Sequence, residues 1–391
     1  EFTFTVTATD TTTNCTGSRA YTVRICPVIG LSAVPTCATV GSTYTTTITP
    51  SAGTAPFTFS VTGTLPPGTT LNPTTGVLAG TITAAGSFSF SITATDVNGC
   101  AGAQSYTVNV LNIAPAAAAL PDATFGTAYS QAVTASGGSG GFTYAVTAGS
   151  LPEGLSLNAA TGALTGTPGG ALGTGSFSFT VTATNTATTC TIAKDYTLDS
   201  RPVAVLDTYA NGAGNTEFYG GGYAPTPATP FVANTTNILS NDLGPGLTVT
   251  SLTQPANGTV TLGAAGAFRY TPNAGAETSA TFTYKVTSNG VESQAAANVT
   301  ITLVGQVWYV NSSGANGVGT SSSPFNNLAN ADVSSGAGDV VFVHTGAATT
   351  TGAITLDANQ VLWGQGAAFS LGGSGLTIAA AGKPTLTGTV T

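Results

Sequence analysis

The sequence repeats itself with a period of roughly 90 residues. The segment EFTFTVTAT at 1–9 recurs at 87–95 as SFSFSITAT and at 176–184 as SFSFTVTAT. A second motif follows the same period, as LPPGTTLNPTTGVLAG at 65–80 and LPEGLSLNAATGALTG at 151–166. Because self-similarity at a fixed period indicates tandem structural units, the chain is predicted to carry several copies of one small domain.

Each unit is predicted to be an antiparallel β-sandwich. Phenylalanine, valine and isoleucine alternate with threonine and serine, which is the pattern of a strand with one buried face. Short alternating segments separated by Pro-Gly, Thr-Gly and Asn-Gly turns favour a sandwich, and no segment has a convincing helical periodicity. The strands of the first complete unit are predicted near 28–34, 43–50, 56–62, 76–81, 87–95 and 104–111.

The repeated motifs resemble the Ig-like repeats of bacterial surface and secreted proteins, which are relatives of cadherin-like sandwiches. This resemblance implies the last two strands of a truncated repeat at residues 1–26 and complete repeats at 27–112 and 113–201. Residues 202–304, with the motifs PVAVLD, NILSNDL and FRYTP, are similar to a bacterial cadherin-like module. Residues 305–391 resemble the N-terminal coils of pectate-lyase-like right-handed parallel β-helices. The expected fold class is therefore all-β, with tandem Ig-like or cadherin-like β-sandwiches followed by the start of a parallel β-helix.

Composition excludes several classes of protein. Only 7 residues are basic and 15 acidic, 6% in all, so the chain cannot neutralise a phosphate track and no nucleic-acid partner is expected. With 41% hydrophobic residues the chain can bury a core, which excludes a disordered acidic tail. No stretch of 18 apolar residues occurs, so no membrane span is predicted in this sequence.

The sequence is expected to be a fragment of a longer chain. It contains no methionine and opens within a strand pattern, so a start codon and any signal peptide are expected outside it. The coils of a β-helix bury their faces only against neighbouring coils. Further coils or a partner are therefore expected after residue 391.

The five cysteines are predicted to form disulfides in an oxidising compartment, which indicates a secreted or surface-exposed protein. Cys15, Cys100 and Cys190 take equivalent places in the loop between the last two strands of their units. Cys26 opens the first complete unit and is expected to meet Cys100. Cys37 lies one strand further along, at the end that faces the next unit, and is expected to meet Cys190. Cys15 is left for a partner outside this sequence.

Calcium is the one ligand that the sequence suggests, and no other cofactor is expected. Asp10 and Asp96 end a Thr-Ala-Thr-Asp motif that resembles a strand supplying a cadherin carboxylate. Asp242 is what remains of the acidic cluster of the cadherin-like module. We expect Asp10 and Asp96 to cap their own turns instead, partly because the third copy has the neutral Asn185.

No catalytic constellation is apparent. His344 is the single histidine, so a histidine-based triad or metal site lacks partners. A polysaccharide lyase or hydrolase groups several charged side chains on one face. Residues 306–391 offer only a few such side chains, namely Asp332, Asp339, Asp357 and Lys383.

Two further features of the sequence bear on function. Lys285 and Asn298 could form an isopeptide bond, but strand parity turns Lys285 to solvent, so no such bond is expected. Tyr219 and Tyr223 are predicted to be the most exposed aromatic pair.

The first expectation is a non-enzymatic structural protein of the bacterial surface or extracellular matrix, acting as a fibre, stalk or adhesin. Its partners would be other copies of itself, other surface proteins or polysaccharide, and its truncated repeat could polymerise by strand complementation. One alternative is a spacer region and first coils of a secreted carbohydrate-active enzyme whose catalytic coils lie beyond residue 391. Calcium-dependent cohesion is another alternative.

Overall fold

The computed structural model describes residues 1–224, 230–346, 349–387 and 389–391. Its regular structure is almost entirely β, which confirms the predicted all-β class. The chain begins with an antiparallel hairpin of β1 (Phe2–Thr9) and β2 (Thr16–Val23). Within the described ranges, no helix combines the length and the apolar character that a membrane crossing requires.

The first complete unit is a sandwich of two sheets. Its strands are β3 (Cys37–Thr39), β4 (Thr43–Thr47), β5 (Thr58–Gly63), β6 (Thr69–Leu71), β7 (Val77–Thr81), β8 (Gly86–Thr95) and β9 (Ala101–Ala114). Strands β4, β7 and β6 form one antiparallel sheet, while β5, β8 and β9 form the other, with β3 added parallel to β9. Alternating apolar residues from both sheets, such as Leu78 and Ile92, meet in the core and are fully buried.

The prediction of a strand at 28–34 is wrong. This segment makes a single bridge, from Leu31 to Pro50, and no ladder. The backbone N–H of Gly30 donates to the hydroxyl of Ser51, so a side chain replaces a ladder partner. Prolines border the segment on both sides, and proline cannot donate to a ladder. The sandwich is instead opened by β3.

The second unit repeats this architecture. Its strands are β10 (Ala123–Thr124), β11 (Tyr129–Ala132), β12 (Thr134–Gly137), β13 (Phe142–Gly149), β14 (Leu155–Leu157), β15 (Ala163–Gly166), β16 (Gly175–Asn185) and β17 (Thr191–Arg201). One sheet has the order β10-β17-β16-β13 and the other β11-β15-β14. Strand β12 instead pairs with β9, with Gly137 opposite Leu111. The boundary expected after residue 112 therefore falls inside β9, a strand that serves both units.

The third unit is also a two-sheet sandwich. Its strands are β18 (Asp207–Gly214), β19 (Glu217–Gly220), β20 (Phe231–Ala233), β21 (Thr248–Thr250), β22 (Gly258–Leu262), β23 (Phe268–Pro272), β24 (Ala280–Ser288), β25 (Val291–Glu292) and β26 (Ala297–Val310). One sheet has the order β20-β19-β23-β22, and the other is built around β24 and β26, with β18 parallel to β26. Edge-to-face aromatic rings fill the core, where Tyr209 and Phe268 have centroids 5.1 Å apart.

The remaining elements follow β26 along the chain. They are α1 (Leu328–Ser334), β27 (Val340–Val343), β28 (Val361–Gly364), β29 (Phe369–Ser370) and β30 (Thr377–Ile378). The last part of β26 pairs with β27 in parallel, and β27 pairs with β28 in parallel. This parallel stacking is what the first coils of a β-helix require, while the β-helix itself stays a prediction.

The domain boundary expected after residue 304 falls inside β26. The first part of this 14-residue strand pairs with β24 and its last part with β27. One buried cluster contains both Phe282 of the sandwich and Phe342 of β27. The third sandwich and the parallel strands therefore share a hydrophobic core.

The helix α1 departs from the expectation that no segment is helical. Asn327 caps the helix by accepting a hydrogen bond from the backbone N–H of Asn330. Leu328 and Ala331 bury one face. With seven residues, the helix is too short to give a periodic signal in the sequence.

Candidate assembly face and disulfide framework

One face of the N-terminal hairpin is apolar and open to solvent. Phe2, Phe4 and Val6 alternate with threonines on β1, while Tyr21 and Val23 stand on the same side of β2. Their exposed fractions range from 42% to 64%. We call these five residues the open face.

The open face matches the buried hairpin of each complete sandwich. Phe90 lies opposite Tyr106 in the first unit, and Phe179 lies opposite Tyr196 in the second, in the register of the hairpin β1–β2. Phe90 is only 4% exposed because the sheet β4-β7-β6 covers it. The open face therefore has the residues and register of a sandwich core without the covering sheet.

The structure joins the two cysteine pairs that the sequence predicts. Cys26 is bonded to Cys100 and Cys37 to Cys190, with Cα–Cα distances of 5.4 Å and 5.6 Å. Both distances lie within the usual range for a disulfide. The second bond crosses from the first complete unit to the second, and Cys15 carries an exposed thiol.

Asp10 caps its own turn. Its Oδ1 accepts hydrogen bonds from the backbone N–H groups of Thr12 and Thr13, at 2.7 Å and 3.3 Å. The bond from Thr12 is the main cause that lowers the pKa of Asp10 below its ordinary value. This exposed carboxylate therefore has the role of a turn residue.

Asp96 has the same role in a buried setting. Its Oδ1 accepts from the N–H groups of Asn98 and Cys100, and its Oδ2 accepts from that of Thr54. Burial raises the pKa of Asp96, but these hydrogen bonds outweigh it and the pKa lies below its ordinary value. In the second unit the neutral Asn185 accepts from the N–H groups two and three residues further on, as Asp10 does. The arrangement fits the expected turn cap.

Asp242 belongs to a cluster that the sequence did not reveal, around the hydroxyl of Tyr284. That oxygen lies 2.9 Å from Oδ2 of Asp207 and 3.0 Å and 3.1 Å from the two carboxylate oxygens of Asp242. The backbone carbonyl oxygens of Val205 and Ile238 lie at 3.1 Å and 2.5 Å. Five acceptor oxygens therefore surround a hydroxyl that has one proton to donate.

Burial raises the pKa of both carboxyl groups in this cluster. Burial raises the pKa of Asp207 to about 6; the hydrogen bond from Tyr284 lowers it in part, and the charge of Asp242 raises it further. Burial also raises the pKa of Asp242, against the hydrogen bond from Val205 N–H. The Tyr284 hydroxyl lies within hydrogen-bonding distance of all five oxygen atoms. In the part of the chain that the structure describes, no three His, Cys, Asp or Glu residues are grouped to hold a metal.

His344 lies within an aromatic environment. It is 9% exposed, and its ring centroid lies 5.1 Å from that of Phe342 and 6.0 Å from that of Tyr309. Burial lowers the pKa of His344, and a hydrogen bond with Gln365 opposes this in part. These contacts describe a neutral core histidine.

The aspartates of the C-terminal region hold local structure. Oδ2 of Asp339 accepts from the indole N–H of Trp308 and from Gly336 N–H, both at 2.9 Å. Oδ1 of Asp332 accepts from Thr355 N–H at 2.7 Å. The backbone N–H of Asp357 donates to Gln360, and Lys383 is exposed.

Two other predictions have different outcomes. The Nζ of Lys285 lies 3.0 Å from the carboxylate of Glu292, while Asn298 lies opposite Thr283, so the geometry does not favour an isopeptide bond. The expectation of an exposed Tyr219 is wrong, because it is 1% exposed. Every residue of β19 is buried, which strand alternation does not predict.

Family models match three segments of the chain. Residues 27–111 and 112–200 match the family described as "Putative Ig domain", and residues 222–302 match the family described as "Bacterial Ig domain". The fold is thus that of a tandem Ig-like β-sandwich protein. More particularly, the first two complete sandwiches match the putative Ig domain family and the third matches the bacterial Ig domain family, in the places where the sequence predicts sandwiches.

Solved structures resemble the chain only distantly. An endo-fucoidan hydrolase from glycoside hydrolase family 107 is 18% identical over 69% of this chain and 43% of its own length, with a TM-score of 0.20. The human desmocollin-1 ectodomain is 11% identical over 73% of this chain and 65% of its own, with a TM-score of 0.23. An I-band fragment of titin is 12% identical over 72% and 100%, with a TM-score of 0.27.

The chain spans less than half of the length of the endo-fucoidan hydrolases that it resembles. A search of curated proteins finds no match. At these identities and TM-scores, no functional conclusion follows from the solved structures.

Proposed function

We propose that this chain is a non-enzymatic structural protein that acts outside the cell, on a bacterial surface or in an extracellular matrix. Its sandwiches would form part of a fibre, stalk or adhesin. Three bacterial Ig-type domains, two disulfides and the low proportion of charged residues support this proposal. Few charges also mean little repulsion between neighbouring chains, which favours lateral association.

The observation that carries the proposal is the open face. An isolated two-stranded hairpin is marginal in water, and exposed apolar surface of this kind is a docking site for other strands. The equivalent residues Phe90 and Tyr106 are buried by a sheet of their own sandwich. For a chain that begins at Glu1, we propose that strands from a second copy of the chain cover the open face, so that the hairpin is completed on assembly.

Sedimentation velocity over a range of protein concentrations tests this proposal. The wild-type chain should form larger species as its concentration rises. Phe4→Asp should shift the population to monomer, because it places a charge in the face that is buried on assembly. Thr5→Asp is the matched control, because Thr5 is also exposed but lies on the opposite face of β1. A chain that stays monomeric throughout, or a Thr5→Asp effect equal to that of Phe4→Asp, would contradict the proposal.

A further inference from the structure

The disulfides create a short covalent path through the two complete sandwiches. Cys37 is bonded to Cys190, which lies 153 positions later, and Cys26 is bonded to Cys100, 74 positions later. A chain pulled from both sides of this region can transmit tension from residue 26 to residue 37 and then across the sulfur–sulfur bond into residue 190. This path contains 11 residue steps, from 26 to 37, whereas the main chain from 26 to 190 contains 164.

The segment 26–37, which we call the strap, is already close to fully extended. Its first residue is bonded to Cys100, at the start of β9, and its last residue lies opposite Asn109 on β9. Nine extended residues of β9, from 100 to 109, cover roughly 30 Å. Eleven residues can reach at most about 36–40 Å. The strap therefore has about 10 Å of slack or less.

The strap is also held against the sandwich. Ile29, Leu31 and Val34 are buried in the core of the first unit. The carbonyl of Ser32 accepts a hydrogen bond of 2.8 Å from the hydroxyl of Tyr106 on β9. These contacts keep the strap along the sandwich between its two cysteines.

We propose that the strap and the Cys37–Cys190 bond form a covalent tension path that carries axial load past residues 38–189, which make up most of both complete Ig-type domains. Tension enters at Cys26 and leaves through Cys190 into β17, so residues 38–189 lie in a closed loop beside the path. Stretching then releases no length from residues 38–189, even when the strands there separate. The Cys26–Cys100 bond is a second and longer route, because 90 residues separate Cys100 from Cys190.

This inference deepens the proposed function, since a surface fibre carries tension, but it depends only on connectivity. Its test is therefore independent of whether the open face assembles. Single-molecule force extension of the full chain, with handles at its two ends, measures the contour length released when the domains unfold. The oxidised wild-type chain should release no length from residues 38–189.

Three cysteine variants give distinct expected lengths. The Cys37→Ser/Cys190→Ser variant should release roughly 260–280 Å more contour length than wild type, because its covalent path lengthens from 11 to 90 residues. The variant in which all four bonded cysteines are replaced should release roughly 500–550 Å more contour length than wild type. Cys26→Ser/Cys100→Ser is the matched control, and it should gain nothing because the strap remains the shortest path.

Reduced wild-type chain provides the same comparison without any substitution, and it should show the gain of the four-cysteine variant. If the oxidised wild-type chain released contour length from residues 38–189, the inference would be overturned. A gain in the Cys26→Ser/Cys100→Ser control would overturn it as well.

Discussion

Phe4 and Tyr21 stack across the N-terminal hairpin with their ring centroids 5.8 Å apart and with 49% and 42% of their surfaces exposed. The equivalent pair in the first sandwich, Phe90 and Tyr106, has nearly the same separation, 5.7 Å, but is only 4% and 7% exposed. The same local pairing therefore occurs in a covered and an uncovered state within one chain. The difference lies in the second sheet, which the complete unit has and which residues 1–26 do not include.

Truncation of these two phenylalanines should have unequal effects on stability. Phe90→Ala removes a buried ring and should lower the free energy of unfolding of the first sandwich by about 3–5 kcal/mol. Phe4→Ala should change it by no more than about 0.5 kcal/mol, because Phe4 lies outside that core. Denaturant unfolding of dilute protein measures both. Equal losses for the two variants would contradict the assignment of the open face.

The acidic cluster predicts a pH-dependent stability of the third sandwich. The pKa of Asp207 is raised to about 6 in the folded chain, above its ordinary value, so the folded state holds the proton more tightly. The contribution of Asp207 to the free energy of unfolding is then most favourable near pH 4 and declines as the pH rises through about 6.

Asp207→Asn should remove this dependence. At pH 7 the variant should be more stable than wild type by about 1–3 kcal/mol, and near pH 4 the two should be similar. Calorimetric melting at both pH values measures the difference. If the stability of Asp207→Asn relative to wild type is lower at pH 7 than at pH 4, the raised pKa of Asp207 is contradicted.

The ion pair between Arg269 and Glu217 should contribute more than the pair between Lys285 and Glu292. The Glu217 side chain is 1% exposed, whereas Lys285 and Glu292 are 29% and 36% exposed. Arg269→Ala leaves a buried carboxylate without its cation and should destabilise the third sandwich by about 3 kcal/mol. Lys285→Ala, the matched control, should cost at most about 1 kcal/mol. Thermal unfolding of the two variants distinguishes them, and equal shifts would contradict this ranking.

Substitution of Asp339 should affect stability and not activity. Asp339→Ala deprives the Trp308 indole N–H and the Gly336 N–H of their acceptor and should cost about 1–3 kcal/mol. The chain is expected to cleave no polyuronate, with or without calcium. Turnover of such a polymer that is lost in Asp339→Ala or Asp357→Ala would instead support the carbohydrate-active enzyme.

Most of the fold could be predicted because equivalent segments of each repeat form the same strands and pair in the same register. Once two segments with Phe-x-Phe-x-Val patterns are equivalent, the hairpin that follows each one is equivalent too, and the loop cysteines fall at the same end of each sandwich. This is why the pairing of Cys37 with Cys190 could be derived from topology. The helix at Leu328–Ser334 gave no such signal, because two turns are too few for a period.

The acidic cluster could not be predicted for a different reason. Asp207 and Asp242 are 35 positions apart, and only the folding of β18 and β24 brings them to the Tyr284 hydroxyl. Strand alternation also failed at Tyr219, because both faces of β19 are covered. Neither fact is encoded in local sequence patterns.

Hydrogen exchange of the amides of residues 2–9 tests the central claim most directly, with residues 88–95 of the same chain as an internal reference. If second copies cover the open face, protection of residues 2–9 should be low in dilute solution and should rise with concentration toward that of 88–95. Phe4→Asp should abolish the rise, and Thr5→Asp should preserve it. Protection of residues 2–9 that is the same at every concentration would contradict assembly through this face.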